Sequence, residues 1–191
     1  MTGDNFMWFP EKSGTTKVEG ETTDTFFAHR KAFELRSFQF TMDNKDAVDS
    51  GGKGSVAGRA KFQEFEIEKE VDSASVPLYK ACSLGTLIPT IMLAVRKAGG
   101  SSLLYLQYIF RYTHVTGITW SGGSGAGPAT EKMTFSFKAM GFQYIAQTAA
   151  GGVGRKQSWS WNTATQDDKQ GSPSLEISGI ESAPDFLPGQ S

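Results

Sequence analysis

The chain of 191 residues contains one cysteine, Cys82, and two histidines, His29 and His114. A single cysteine excludes an intramolecular disulfide and suits folding in a reducing compartment. The two histidines lie far apart in the sequence, and no spacing among these three residues indicates a metal site or a cysteine–histidine catalytic pair. The sequence therefore predicts a protein that is not an enzyme and that uses no metal or organic cofactor.

Two further absences concern charge and long apolar runs. Lysine and arginine total 19 against 20 acidic residues, which gives a net charge of -1. Nucleic-acid-binding proteins usually carry a basic patch, and no basic run occurs here. No apolar run approaches the roughly 20 residues that span a bilayer, and the first residues lack the features of a signal peptide. We expect no nucleic-acid partner, no membrane insertion and no export through an N-terminal signal.

The sequence is rich in period-two alternation of apolar and polar residues, which is typical of β-strands. In "EKMTFSFKAM", for example, Met133, Phe135 and Phe137 alternate with polar residues. A phase shift near Arg36 and Ser37 predicts a bulge or bend. Many short strands separated by turn signals predict a mainly β sandwich or barrel. Strands are also predicted over residues 5–9, 65–71, 89–96, 105–112, 114–120 and 142–147.

Glutamates occupy alternate positions along residues 64–70. We interpret them as a solvated polar face, with basic residues such as Lys69 nearby, rather than as paired catalytic acids. On the opposite face of this strand, Phe65, Ile67 and Val71 are predicted to point together away from the glutamates.

One stretch, "SASVPLYKACSLG", predicts a short helix of about three turns instead of a strand. Ser75 is the predicted N-cap, Pro77 lies in the first turn, and Gly85 is placed to end the helix. Leu78 and Cys82 lie four residues apart on the apolar stripe, so Cys82 is interpreted as a buried, inert thiol.

A long polar connection joins two predicted strands over residues 42–58. Loops longer than about 12–15 residues are uncommon unless they are functional or disordered. Within this loop, "GKGSVA" matches a dinucleotide-binding pattern by chance, because that pattern needs a strand before it and a helix after it. A second glycine-rich stretch, residues 121–130, is predicted to be a flexible hairpin tip.

The composition changes again near residue 149, where the chain becomes polar and rich in Gly, Ser and Pro. We predict a barrel domain over residues 1–148 and a flexible C-terminal extension over residues 149–191. Trp159 and Trp161 lie within the extension. They are equally consistent with a docking motif and with an anchor on the barrel.

Several motifs in a fixed order resemble the Hcp (haemolysin-coregulated protein) family, the tube subunits of bacterial type VI secretion systems. The resemblance covers roughly residues 5–147, and its first motif is similar to the family's Gly-Glu-Ser/Thr-Thr-Asp turn and the following histidine. The order of "EKEVD", the helix pattern P-L-x-x-A-C-x-x-G and "VRKAGG" is specific. The matching segments are "VEGETTDTFFAHRKAFELRSFQF", "GRAKFQEFEIEKEVDSASVPLYKACSLG", "LAVRKAGGSSLLYLQYIF", "THVTGITWSGG" and "EKMTFSFKAMGFQY".

The resemblance implies a two-sheet β-barrel with one short flanking α-helix and a long extended loop. It also implies a homohexameric ring that stacks into a tube, with contractile sheath proteins, a tip spike protein and effector proteins in the lumen as partners. Such a tube assembles in the bacterial cytoplasm and is expelled to the extracellular space or a target cell. Two alternatives stay open: a tail-tube subunit of a phage-like contractile particle, and an effector-carrier ring that forms no long tubes.

In such an assembly, the long loop is predicted to be an arm that reaches an adjacent subunit. A ring subunit buries apolar side chains inside itself and against its neighbours, which would explain the apolar residues on both faces of residues 92–112. A polar sheet face is expected to line the lumen, because a passage for cargo must stay wet. The predicted contact residues of the arm are Asp46, Asp49, Gly51, Gly52, Lys53 and Gly54.

Overall fold

A computed structural model describes residues 4–10, 17–44, 60–97, 104–123, 127–148 and 152–165. Within these ranges the chain forms β-strands, one α-helix and one short 3-10 helix. Their bounds are β1 Asp4–Trp8, the 3-10 helix Ala28–Arg30, β2 Phe33–Leu35, β3 Ser37–Gln39, β4 Met42–Asp43, β5 Lys61–Phe62, β6 Phe65–Glu70, α1 Ser75–Leu84, β7 Ile88–Arg96, β8 Leu104–Ser121, β9 Thr130–Ser136, β10 Ala139–Gln147 and β11 Val153–Asn162.

The strands wrap around one core in the order β2-β1-β7-β8-β9-β6-β3, and β10 pairs with β8 and β11. β2 pairs with β1 whereas β3 pairs with β6, although β2 and β3 are consecutive in the chain. The chain passes between them at Arg36, whose N–H donates to the carbonyl oxygen of Glu68 at 2.8 Å. The predicted bend is confirmed, and the mainly β fold is a barrel without a continuous closing ladder.

β8 is the strand that the two sheets share. Its first half pairs with β7 and β10, and its second half pairs with β9. The two halves meet at Tyr112, which has a positive φ of 53°, a conformation rarely adopted by a bulky residue. The sequence predicts two strands here, over residues 105–112 and 114–120, and the structure has one long strand that bends between them.

The main core lies between the sheets. Phe65 and Ile67 of β6 meet Phe110 of β8 and Phe135 of β9, and Leu78 of α1 closes this cluster. All five side chains are at most 1% exposed. Complete burial of an apolar side chain of this size contributes about 1.5–3 kcal/mol relative to leaving it in water, so burial of these five side chains stabilises the barrel.

A second apolar cluster lies on the other face of β1, β7 and β8. The covering segment, residues 17–32, brings Phe27 over Met92 and Ile109, and the ring of Phe27 stacks on Phe6 with centroids 4.1 Å apart. This contact lies within one chain. The sequence-based explanation that both faces are apolar because one meets a neighbouring subunit is therefore wrong for these side chains.

The helix begins one residue earlier than the predicted cap implies. The N-cap position is Ala74 and Ser75 is the first helical residue, because the Ser75 hydroxyl points into a buried polar network. Gly85 ends the helix in the left-handed conformation, as predicted. Leu78 is buried, in agreement with the apolar stripe, whereas Cys82 is half-buried against the main core and not fully buried as predicted.

Residues 153–162 differ from the predicted flexible extension because they form β11, which pairs with β10. Trp159 and Trp161 of β11 lie 6.4 and 5.9 Å from Phe62, measured between ring centroids. Of the two alternatives for the tryptophans, the structure therefore favours the anchor on the barrel. The rest of the predicted extension, residues 166–191, lies outside the described residues.

Candidate assembly surfaces

The long loop leaves the barrel as a two-stranded ribbon. Met42 pairs with Phe62 and Asp43 with Lys61, and the Gln63 N–H donates to the Thr41 carbonyl oxygen at 3.0 Å. Paired strands fix the direction in which the chain departs, so the base of the proposed arm has a defined orientation. The predicted arm residues Asp46, Asp49, Gly51, Gly52, Lys53 and Gly54 lie outside the described residues, and their contact role stays a prediction.

Aromatic rings hold the base of this ribbon against the barrel. Phe62 of β5 lies 6.1 Å from Phe40 and 6.4 Å from Phe137, and Phe40 lies 6.2 Å from Phe110 of the main core. Pairs of this kind contribute about 0.5–1.5 kcal/mol beyond the area that they bury. The ribbon therefore starts from a packed base that is continuous with the core.

A buried ionic network supports the side of the barrel beside α1. Lys69 of β6 is fully buried. Its Nζ lies 2.8 Å from Glu131 Oε1 and 2.6 Å from Asp72 Oδ1, and it donates to Ser75 Oγ at 3.2 Å. Two carboxylates facing one ammonium satisfy the charge that burial would otherwise make very costly.

The position of Lys69 corrects two sequence-based expectations. Lys69 was expected near the solvated face of β6, but it shares the inward face with Phe65 and Ile67. Val71 was expected on that inward face, but β6 ends at Glu70 and the Val71 side chain is 45% exposed. The inward position of Lys69 follows from strand alternation, which placed it in phase with the apolar residues.

The same network extends to α1 and β8. The Ser75 hydroxyl donates to Glu131 Oε1 at 2.6 Å, and the Tyr79 hydroxyl donates to Glu131 Oε2. The Trp120 indole N–H donates in turn to the Tyr79 oxygen. Burial, together with the hydrogen bond to Glu131, raises the pKa of Tyr79. Strands β6, β8 and β9 and the helix are thereby joined through one chain of polar contacts.

The covering segment is fixed by Asp24 and Arg96. One oxygen of Asp24 accepts the N–H groups of Phe26 and Phe27 at 3.0 and 3.1 Å, and the other lies 2.7 Å from the Arg96 guanidinium. Burial acts to raise the pKa of Asp24, but the hydrogen bonds from Arg96 and the two amides outweigh it and lower that pKa. Arg96 also pairs with Asp4 at 2.9 Å, which ties the segment to β1.

Gly20 accounts for the first residue of the "GETTD" motif. Its N–H donates to the Lys31 carbonyl oxygen at 2.9 Å. A Cβ atom at this position would lie 2.5 Å from the Ala32 carbonyl oxygen and 2.6 Å from Phe33 Cβ. The chain approaches itself so closely here that only glycine fits without a backbone shift.

The outer face of β3, β6 and β9 is polar. Two cross-strand rows define it: Gln39, Glu66 and Thr134 in one, and Ser37, Glu68 and Lys132 in the other. These side chains are exposed or half-exposed, so the predicted solvated face of β6 is confirmed. These six residues form the polar sheet face of the subunit.

Large apolar side chains are exposed around α1. Val76 and Leu84 are 70% and 67% exposed, and Trp120, which contacts Tyr79 of the helix, is 59% exposed. Val76 and Leu84 belong to α1 and Trp120 packs against the same helix, so all three exposed side chains lie on or beside one element. Val76, Leu84 and Trp120 together form the helix surface of the subunit.

The residues considered for catalysis lie on separate elements. His29 is exposed on the 3-10 helix, His114 is half-buried on β8, and Cys82 is half-buried on α1. Within the described ranges, no three His, Cys, Asp or Glu side chains are grouped so that they could hold a metal ion. In the same part of the chain, no helix has the length and apolar character needed to cross a membrane.

Comparisons with known proteins match the barrel. The profile of a family described as "Type VI secretion system effector, Hcp" matches residues 6–144, from β1 into β10. Protein hcp1 of Pseudomonas aeruginosa is 29% identical over 106 residues, which are 54% of this chain. They span 65% of that relative, slightly less than two thirds of its length.

Solved structures give the same result for the fold. A structure described as that of "a type six secretion system protein" superposes with a TM-score of 0.78 at 27% identity, and covers 88% of this chain and 100% of that one. Hcp1 from Salmonella typhimurium superposes with a TM-score of 0.69 and the same coverage of both chains. Its identity of 22% supports the fold alone.

Proposed function

Because this chain belongs to the Hcp family of type VI secretion proteins, we propose that it is a structural subunit of the secretion tube. Copies close into a hexameric ring, and rings stack into a tube that a contractile sheath expels behind a tip spike protein. Effector proteins travel in the lumen. The observation that carries this proposal is that the family match covers the barrel from β1 into β10.

The lumen is formed by the polar sheet face. It combines two glutamates, one lysine and three uncharged polar side chains, and Lys132 pairs with Glu66 at 2.7 Å. Such a surface stays hydrated and offers cargo many weak contacts instead of one strong apolar one. A ring whose bore is lined instead by apolar side chains would contradict this assignment.

Ring closure uses a heterologous contact, in which one surface of a subunit meets a different surface of the next. The helix surface supplies one side of this contact, because Val76 and Leu84 are apolar and largely exposed in the single chain. A permanent ring contact is expected to bury more than about 2,000 Å². Stacking of rings is also heterologous but does not close, so it produces a tube of open length.

The long loop is the arm between subunits. Its ribbon base is packed on the barrel, and its polar, glycine-rich sequence suits contact with a second polar surface. The residues proposed to make this contact are Asp46, Asp49, Gly51, Gly52, Lys53 and Gly54.

Deletion of residues 46–54 is expected to leave the barrel folded but to abolish stacked tubes, because the strands that pair at the base lie outside the deletion. Circular dichroism checks the fold and electron microscopy checks the tubes. Tubes of normal length and number in the deletion variant would refute the proposal that the loop is an arm between subunits. Rings that carry effectors without ever stacking, in the wild type as well, would favour the effector-carrier alternative.

The role is structural and not catalytic. The half-buried Cys82 is packed against the main core, and the two histidines lie on different elements from it. A nucleophile and a base have to lie within hydrogen-bond reach of each other and of a bound substrate.

The proposed route out of the cell is the type VI apparatus. In a bacterium that carries this chain, the protein is expected in the culture supernatant only while the sheath proteins are present. Disruption of the sheath should retain the protein in the cell, and restoration of the sheath should restore release. Release that is independent of the type VI sheath, in sedimenting particles, would favour the phage-like tail tube instead.

A further inference from the structure

β11 is an edge strand in the described part of the chain. It pairs with β10 from Val153 to Asn162, and the ranges that the structure describes give it no second strand neighbour. Val153 is 57% exposed and Trp159 is 36% exposed. Natural proteins cover long edges of this kind, because an open row of N–H and C=O groups pairs readily with other strands.

An apolar shelf continues from this edge toward the base of the arm. Trp159 stacks on Phe62 and lies 6.0 Å from Trp161, and Tyr144 of β10 is 39% exposed. Beside Phe62 is a cavity of about 340 Å³. Its lining residues are Ala60, Lys61, Phe62, Gln63, Glu64, Ser136, Phe137 and Thr163.

The chain turns at this cavity when it leaves β11. The Asn162 side-chain oxygen accepts the N–H groups of Ala164 and Thr165 at 2.9 and 3.3 Å, which is the pattern of a local turn stabilised by an asparagine side chain. Thr163 lines the cavity, and its N–H donates to the Lys138 carbonyl oxygen at 2.8 Å. The described chain ends two residues beyond Thr163, at Thr165, close to the cavity and to the end of β11.

The composition of residues 166–191 complements this surface. The segment contains one lysine, Lys169, and β11 and the cavity margin expose Arg155, Lys156 and Lys138. Leu175 and Ile177 alternate with polar residues in "SLEIS", which is the pattern of a strand with one apolar face. The acidic residues of the segment are Asp167, Asp168, Glu176, Glu181 and Asp185.

We propose that residues 172–182 of the same chain add as an antiparallel strand to the open edge of β11. Leu175 and Ile177 then lie on the shelf formed by Trp159 and Phe62. Strand addition supplies affinity through main-chain hydrogen bonds and specificity through alternate side chains. The nine residues after Thr165, from 166 to 174, reach up to about 30 Å when extended, which is close to the length of β11. The family match ends at residue 144, so this docking is a property of this chain and not of the matched region.

The test compares two double variants of the full chain by hydrogen exchange. Leu175→Asp with Ile177→Asp places charge on the apolar face, and Ser174→Asp with Ser178→Asp places the same charge on the polar face. We expect the β11 amides that β10 does not bond to exchange at least roughly tenfold faster in the first variant than in the wild type, and at wild-type rates in the control. Equal exchange in all three proteins, or equal acceleration by both variants, would overturn the proposal.

A second copy of the chain is the competing occupant of the edge. Exchange is therefore measured over a range of protein concentrations, with the solution mass recorded in parallel. Docking within the chain predicts protection that does not change on dilution. If protection of the β11 amides disappeared on dilution and were unchanged in the Leu175→Asp, Ile177→Asp variant, a second copy of the chain would occupy the edge. That result would refute docking of residues 172–182. Failure to form rings would count against the proposed function and leave these exchange rates as an independent result.

Discussion

At the scale of single residues, Lys69 determines how the side of the barrel beside α1 is held together. The ammonium is fully buried and faces Glu131, whose side chain is also fully buried, and Asp72, whose side chain is 15% exposed. Removing one member of such a set leaves the remaining charges without compensation in a region that excludes water. The cost of that loss exceeds the net stabilisation that the intact set provides.

We expect Lys69→Met to destabilise the fold by about 3–5 kcal/mol, because Glu131 and Asp72 would then face each other without a counter-charge. Urea unfolding at neutral pH measures the loss. Lys132→Met is the matched control: its partner Glu66 lies on the polar sheet face, and both side chains are partly exposed. An exposed pair contributes about 0–1 kcal/mol. Equal losses of unfolding free energy in the two variants would show that the buried network stabilises the fold no more than an exposed ion pair does.

Lys69 also shows what sequence reasoning found and missed. Alternation correctly placed Phe65 and Ile67 on the inward face, and it placed Lys69 in the same phase. Lys69 was nevertheless predicted to lie near the solvated face, because lysine is usually exposed to solvent. The partners that make burial possible are Asp72, three residues away, and Glu131, which β9 brings beside Lys69. The second contact joins residues far apart in sequence, so no local pattern could have predicted it.

At the scale of elements, the covering segment explains why β7 is apolar on both faces. Met92 and Ala94 lie under Phe27, while Leu93 and Val95 face the main core. The segment itself has little regular structure, so it depends on the Asp24 contacts with Arg96 and with the backbone. Its attachment should therefore respond to the charge of Asp24.

The pKa of Asp24 is lowered in the folded chain, so this carboxylate contributes stability above its unfolded pKa of roughly 3.9, and the contribution is lost as the pH falls toward the folded pKa. We predict that Asp24→Asn is less stable than the wild type at pH 7, because asparagine can still accept the amide hydrogen bonds but cannot pair with Arg96 as an anion. Below the folded pKa of Asp24 this difference should disappear. Urea midpoints for both proteins, measured from neutral to acidic pH, test this, and a constant difference would contradict it.

The extent of one strand, β8, and the existence of another, β11, were not predicted from the sequence. The sequence predicts two strands, one on either side of Thr113. In the structure β8 is one strand that continues through Thr113, because β7 and β10 pair with it up to the bend. β11 was missed because the composition around it is polar and glycine-rich. The alternation of Trp159 and Trp161 with serines in "SWSW" was the available signal. Its partners Phe62 and β10 are distant in the sequence.

At the scale of the whole molecule, family membership and the mainly β fold expected from the motifs are confirmed. The motifs were specific because several of them meet physical requirements. Gly20 lies where a Cβ would collide with the backbone, Lys69 and Asp72 of "EKEVD" are paired, and Gly85 ends α1. Assembly cannot be read in the same way from one chain, because its contacts lie between copies.

The subunit has two outward surfaces of opposite character. The polar sheet face carries a partly exposed ion pair between Lys132 and Glu66, whereas the helix surface carries exposed apolar groups. In the proposed ring these surfaces would have different environments, the first toward a wet bore and the second toward a neighbouring copy. This division is what we expect of a subunit that builds a hollow tube.

Electron microscopy of the purified full-length protein at high concentration, read with its solution mass, tests this central claim most directly. We predict annular particles with six-fold symmetry and a hollow centre, and a mass of six chains. A monodisperse monomer that shows no annular particles at any concentration would contradict the account.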